Sequence, residues 1–213
     1  MLNLAQICVI CYDPKKCGGA ILKKLLITGF DPFGGQTINP SWEAVKLLPE
    51  VSGEYEVHKL EIPTIVGVAA EKVLEKAGEV KPDVILCIGQ AGGRNAVTPE
   101  RIAINIRSAR LPDNAGNQPD EEPVIAGGPD GIFSTVPVAK MAQAIQTAGI
   151  PGAVSNTAGA FVCNDTLYLL LHHYAGTPVR VGFIHVPFLP QQGTPNMPLE
   201  QIAQALTAAI SAL

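Results

Sequence analysis

No apolar run in the 213-residue chain approaches the roughly 18 residues that a membrane-spanning helix needs. A surplus of basic residues is missing as well. The net charge is −4, which argues against a general nucleic-acid binder. The chain has neither the GxGxxG of a dinucleotide fold nor the Lys-Ser/Thr pair of a Walker loop. Cysteines number five (Cys8, Cys11, Cys17, Cys87 and Cys163), and their odd count and uneven spacing do not resemble a disulfide framework. Cys8 and Cys11 form a CxxC with Cys17 close by, but no fourth Cys or His adjoins them to complete the ligand set of a structural zinc. The short apolar stretch at the start has no basic residue before it. Its lysines come afterwards, the reverse of a secretory signal. These absences lead us to expect a cytoplasmic protein without a metal, bound to neither nucleic acid nor membrane.

What the chain does have is the composition of one globular domain, 47% hydrophobic and 16% charged, long enough to bury a substantial core. From Lys24 onward strand and helix patterns alternate. Short apolar runs at 25–28, 55–62, 83–89 and 179–186 read as strands, with a further short one at 153–156. Helical patterns occupy about 66–78, 136–148, 163–174 and 199–213. Another begins at Asn39-Pro40, where Asn39 can cap and Pro40 suits the first turn. Residues 111–131 carry too many Pro, Asn, Asp and Gly to be regular throughout, and a loop of that length is expected to be functional or disordered. The pattern predicts a single-domain α/β/α sandwich, with a mostly parallel twisted sheet and helices on both faces. Such sheets place ligands at the carboxyl ends of their strands.

Residues with chemistry to offer do follow the strands. Cys163 stands at the predicted start of a helix, where the dipole favours a thiolate. His185, unlike His58, His172 and His173, stands at the end of a buried strand, where it can serve such a thiol as a base. A carboxylate to orient the imidazole would complete a triad; Glu100 leads by location, with Asp113 and Asp31 as rivals. Phe30 and Phe33, in the loop Gly29-Phe-Asp-Pro-Phe-Gly-Gly35, either pack beneath it or form a slot for a small flat ring. A non-catalytic small-molecule binder on the same scaffold, with Cys163 as a packing residue, is the competing class. A nucleoside-phosphorylase-like enzyme rests on analogy of fold alone and lacks a phosphate-binding cluster.

The segments LLITGFDPFGG, NPSWEAV, IGQAGGR, TPERIAIN, RLPDNAGNQP, SNTAGAFVCN and GFIHVPFLP, in this order, closely resemble the pyroglutamyl peptidase I family of cysteine peptidases. The likeness implies a peptidase domain over 24–213 and leaves 1–23 as an N-terminal extension of unknown role. It further implies hydrolysis after an N-terminal pyroglutamyl residue through a thioester, with Glu100, Cys163 and His185 as the triad. Phe30, Phe33, Gln90 and Val162 would bind the substrate, and Arg110 would help stabilise the oxyanion. The family needs no cofactor and commonly assembles as a homotetramer, so pyroglutamyl peptides and copies of the chain itself are the expected partners.

Overall fold

The computed structural model describes residues 22–213, so Cys8, Cys11 and Cys17 and the reading of 1–23 lie outside the described residues. Strand β1 (Lys23–Phe30) runs parallel to β3 (Tyr55–Ile62) on one side and β4 (Val84–Gln90) on the other. β4 in turn pairs parallel with β8 (Arg180–Val186). Two short antiparallel strands, β2 (Val51–Ser52) beside β3 and β5 (Thr98–Pro99) beside β8, close the edges. The order is β2-β3-β1-β4-β8-β5. A separate ribbon pairs β6 (Ile102–Ile104) with β7 (Gly131–Phe133).

Among the described residues five helices cover the sheet: α1 (Pro40–Leu47), α2 (Val68–Val80), α3 (Val138–Thr147), α4 (Val162–His173) and α5 (Leu199–Ile210). The period of two along a strand sorts the core into two layers. Leu25 and Ile27 of β1, Leu86 and Ile88 of β4, and Ile184 and Val186 of β8 pack with α1, α3 and α5. Leu26 and Phe30, Ile85 and Cys87, and Val181 and Phe183 pack with α2 and α4 on the other face. His185 follows the register of Val181 and Phe183, so it points to the α4 side, where Cys163 lies. The three-layer sandwich read from the pattern is the fold observed.

Local chemistry explains the elements nearest the strand ends. Asn39 caps α1, its side chain accepting from Ser41 N–H, with Pro40 in the first turn and Glu43 complementing the dipole. The Ser41 hydroxyl accepts from the Phe30 N–H at 3.0 Å and so ties α1 to the end of β1. That closeness requires Gly29, since a Cβ there would lie 2.5 Å from Trp42 Cα. The segment 153–156 is not a regular strand. It contributes a single bridge, Ser155 to Glu100, next to one from Gly152 to Val97 just before it. Residues 111–130 are irregular, as their composition demands, but they are well tethered. The Asp113 carboxylate accepts from the N–H groups of Val66, Ala115 and Asn117.

Candidate active site

The carboxyl ends of β1, β4 and β8 lie side by side and open into a cavity of about 290 Å³. Its walls include Phe30, Phe33, Gln90, Arg94, Cys163 and His185. Cys163 enters from the first turn of α4. No side chain caps that helix, and its leading N–H groups have no intrahelical carbonyl to take them. They remain available to an anion beside the sulfur. Gly89 gives the sulfur its room, because a Cβ there would sit 2.9 Å from Cys163 Sγ and 2.7 Å from the Phe183 ring.

His185 stands opposite Thr98 across the β5–β8 pairing, and the Glu100 N–H donates to the Phe183 carbonyl at 2.8 Å. This register brings Glu100 alongside the imidazole. Glu100 Oε1 lies 2.7 Å from His185 Nδ1, and the carboxylate is fully buried. An ionised carboxylate can only accept, so Nδ1 carries the proton and Nε2 keeps its lone pair. The rivals are engaged elsewhere. Asp31 Oδ1 accepts from Thr64 N–H and Asn114 Nδ2, and Asp113 staples its own loop.

Arg94, which the sequence reading did not single out, completes the cluster. Its Nη1 donates to Glu100 Oε1 and to Thr98 Oγ1, each at 2.6 Å, and Nη2 donates to the Thr157 carbonyl at 2.9 Å. Two donors thus converge on one oxygen of Glu100, while Oε2 finds no partner among the described residues. Burial alone would raise the Glu100 pKa, but the hydrogen bond and charge of His185, then the Ser155 hydroxyl and the charge of Arg94, hold it below the ordinary glutamate value. Burial also lowers the His185 pKa, against the pull of Glu100. The Cys163 thiol is pushed up to about 12, first by burial and then by the charge of Glu100. Desolvation therefore opposes the helix dipole that favours a thiolate, and the two shifts together favour a neutral thiol beside a neutral imidazole.

The remaining candidates are distributed unevenly. Phe30 is 98% buried and packs 6.2 Å from Phe183, so it serves the core as well as the cavity, whereas Phe33 is half-buried and pairs with Phe161 at 6.3 Å. Val162 is fully buried in the α4-side core and does not line the cavity. Arg110 is exposed and lines a neighbouring cavity with Phe33, Leu111 and Phe161 rather than the one that holds Cys163. Asn39, Thr64 and Phe161 also line the cavity that holds Cys163, and no motif in the sequence points to them as ligand contacts. Among the described residues no group of three His, Cys, Asp or Glu side chains could hold a metal ion, and no helix is long and apolar enough to cross a membrane.

A family model described as pyroglutamyl peptidase matches residues 23–213. The chain is 49% identical to a pyrrolidone-carboxylate peptidase of Finegoldia magna, over 89% of this chain and 92% of that protein. It is 51% identical to one of Levilactobacillus brevis, over 89% and 97%. Its fold superposes on the crystal structure of pyroglutamyl peptidase I from Bacillus amyloliquefaciens with a TM-score of 0.86 at 44% identity, covering 89% of this chain and 96% of that one. The pyrrolidone carboxyl peptidase of Thermococcus litoralis gives 0.85 at 34% identity, over 90% and 93%.

Proposed function

Because the chain belongs to the pyroglutamyl peptidase family, we propose that it hydrolyses the amide bond after an N-terminal pyroglutamyl residue, with Cys163 as nucleophile, His185 as base and Glu100 as the carboxylate that orients it. The reading is carried by the 2.7 Å contact of His185 Nδ1 with Glu100 Oε1 on the wall of a cavity shared with Cys163.

The chemistry follows from a neutral resting pair. As the Cys163 sulfur attacks the carbonyl carbon, its proton passes to His185 Nε2 and the S–C bond forms. The charge that develops on the carbonyl oxygen meets the uncapped first-turn N–H groups of α4, each such donor typically worth about 3 kcal/mol to a transition state. Arg110, placed at the adjoining cavity, would assist only by reaching across the Phe33–Phe161 pair. Collapse of the adduct breaks the C–N bond, and the imidazolium gives its proton to the departing amine. Water then adds to the thioester, His185 again taking a proton, and pyroglutamate leaves as the thiol re-forms. Glu100, held ionised, stabilises the imidazolium in both halves of the cycle.

Specificity comes from a cavity that accepts a neutral lactam and rejects an ammonium, since an unpaired charge is costly in so apolar a slot. Phe33 and Phe30 offer faces to the ring, and Gln90 offers an amide to its polar edge. The same reading makes the protein a cytoplasmic homotetramer, an assembly that light scattering on a sizing column would report. The direct test of function is turnover of a pyroglutamyl reporter amide. Wild-type protein should release the reporter. Cys163→Ser should fold with an unchanged melting temperature and lose on the order of 10⁴-fold in rate. An inert wild type, or a serine variant near the wild-type rate, contradicts the assignment.

A further inference from the structure

Gln192 lies in the turn after β8, just beyond the GFIHVPFLP segment, and its side chain reaches the reaction cavity through another residue. Its Oε1 accepts the Leu189 N–H at 3.0 Å, and its Nε2 donates to the Ile38 carbonyl at 3.1 Å. Both partners are backbone groups of fixed polarity. Turning the Gln192 amide over would set its NH2 against the Leu189 N–H and its oxygen against the Ile38 carbonyl, so only one orientation is satisfied. The same Nε2 also donates to Gln90 Oε1 at 3.0 Å. That contact settles the second amide: a reversed Gln90 would oppose NH2 to NH2. The Gln90 oxygen is therefore engaged, and its own NH2 has no acceptor among the described hydrogen bonds while the residue lines the cavity.

We propose that Gln192 is a positioning residue for substrate recognition: it fixes Gln90 so that the NH2 of Gln90 faces the cavity as a donor for the carbonyl oxygen of the lactam ring. This inference rests on the reading of the cavity as a pyroglutamyl site and assigns it a polarity. A ring with a carbonyl at that edge is taken. A pyrrolidine ring, which has none, leaves the donor unpaired in a desolvated wall, and a site built to pair a polar group rejects the analogue that lacks it. Gln192 touches neither the triad nor the cavity, so its effect must pass through Gln90.

The test is a double-mutant cycle read in kinetics on a pyroglutamyl reporter amide. Gln192→Met, similar in length but without hydrogen bonds, should raise KM about fivefold, the loss of roughly one neutral hydrogen bond, with kcat little changed. Gln192→Glu keeps an acceptor for the Leu189 N–H, hence the anchor of the turn, but presents no N–H to Gln90. It should lose at least as much. In a Gln90→Met background the Gln192→Met effect on KM should vanish, because independent sites add whereas a residue acting through another does not. A purely structural role for Gln192 would instead appear as a lower melting temperature and an additive loss. The inference is overturned if Gln192→Met leaves KM at the wild-type value, if Gln192→Glu is harmless, or if the loss persists in full without Gln90. Failure of the wild type itself to turn over the amide would instead sink the proposed function.

Discussion

Two fully buried carboxylates, Glu100 and Asp165, each hold an arginine, yet only one looks built for chemistry. Asp165, in the first turn of α4, receives Arg107 Nε at 2.5 Å on Oδ1 and the Gly67 N–H at 2.7 Å on Oδ2. Every oxygen is matched, and the group ties α4 to the start of α2. Glu100 receives Arg94 and His185 on the same oxygen, beside a cavity that contains a thiol. Burial and ion pairing are common to both. On the proposed reading, a shared titratable partner is what separates a working carboxylate from a staple.

The widest separation is expected from amide substitutions. Glu100→Gln should lower kcat on the reporter amide at least about 100-fold, since a neutral amide no longer stabilises the imidazolium. Asp165→Asn should instead destabilise the fold by about 3 kcal/mol, through the uncompensated Arg107, while the folded fraction keeps its activity. Chemical denaturation and active-site titration distinguish the two. If Asp165→Asn proves as inactive per folded molecule as Glu100→Gln, the comparison collapses.

The arginines sharpen the contrast. Arg94→Met and Arg107→Met each strip a cation from a buried carboxylate and should destabilise by a similar amount, about 3 kcal/mol. Only Arg94→Met should also move the acid limb of kcat/KM. The positive charge of Arg94 lowers the His185 pKa, so its removal raises that pKa and shifts the limb to higher pH. An unmoved limb would make Arg94 a second staple.

Phe33 and Phe30 divide along the same line. Phe33→Ala, at a half-buried position, should raise KM about tenfold with little change in melting temperature. Phe30→Ala should cost stability as well, about 3 kcal/mol, because that ring is part of the core. Equal stability losses would mean that Phe33 is not a free wall of the slot.

The smallest expected effects are those of pH on the wild type. His185 must be neutral to act as base, and its folded pKa lies below 6.5, so the acid limb should fall below that value. Its folded pKa and that of Glu100 are both depressed, so the unfolded chain binds more protons, and stability should decline as pH drops below 6.5 and then below 4.5. In the other direction Cys87 and Cys163 are pushed up to about 12. The unfolded thiols ionise first, so stability should fall again above pH 9.0. Melting temperatures across pH check both arms.

Much of this was legible in the sequence, and the reasons are physical. The buried strands β1, β4 and β8 announced themselves as apolar runs because both faces of a central parallel strand are covered. Pro40 and Asn39 marked α1 through their own backbone chemistry. His185 stands out in the sequence because strand ends in such a sheet converge, Phe30 because glycines flank it in its loop, and Gln90 only through the family resemblance. The two- and three-residue strands β2, β5, β6 and β7 were not legible, being too short to show any period. The segment 153–156 has the composition of a strand, but only Ser155 within it forms a bridge, with Gly152 just before it forming another. Arg94 and Gln192 escaped notice for a shared reason. Each acts through partners set by the fold, Arg94 through Glu100 and the Thr157 carbonyl, Gln192 through two backbone groups 154 and 3 positions away. The helix dipole at Cys163 is legible in the sequence, whereas the burial that opposes it is set by the fold.

The central claim is that one sulfur, Cys163, opens into the cavity where the substrate ring binds. Iodoacetamide inactivation, followed by mass spectrometry of the labelled peptides with and without 2-pyrrolidone as a competing lactam, tests it most directly. The account predicts that loss of activity tracks labelling of Cys163 one for one, that 2-pyrrolidone slows both together, and that buried Cys87 stays unmodified while activity disappears. Complete labelling of Cys163 with activity intact would contradict it.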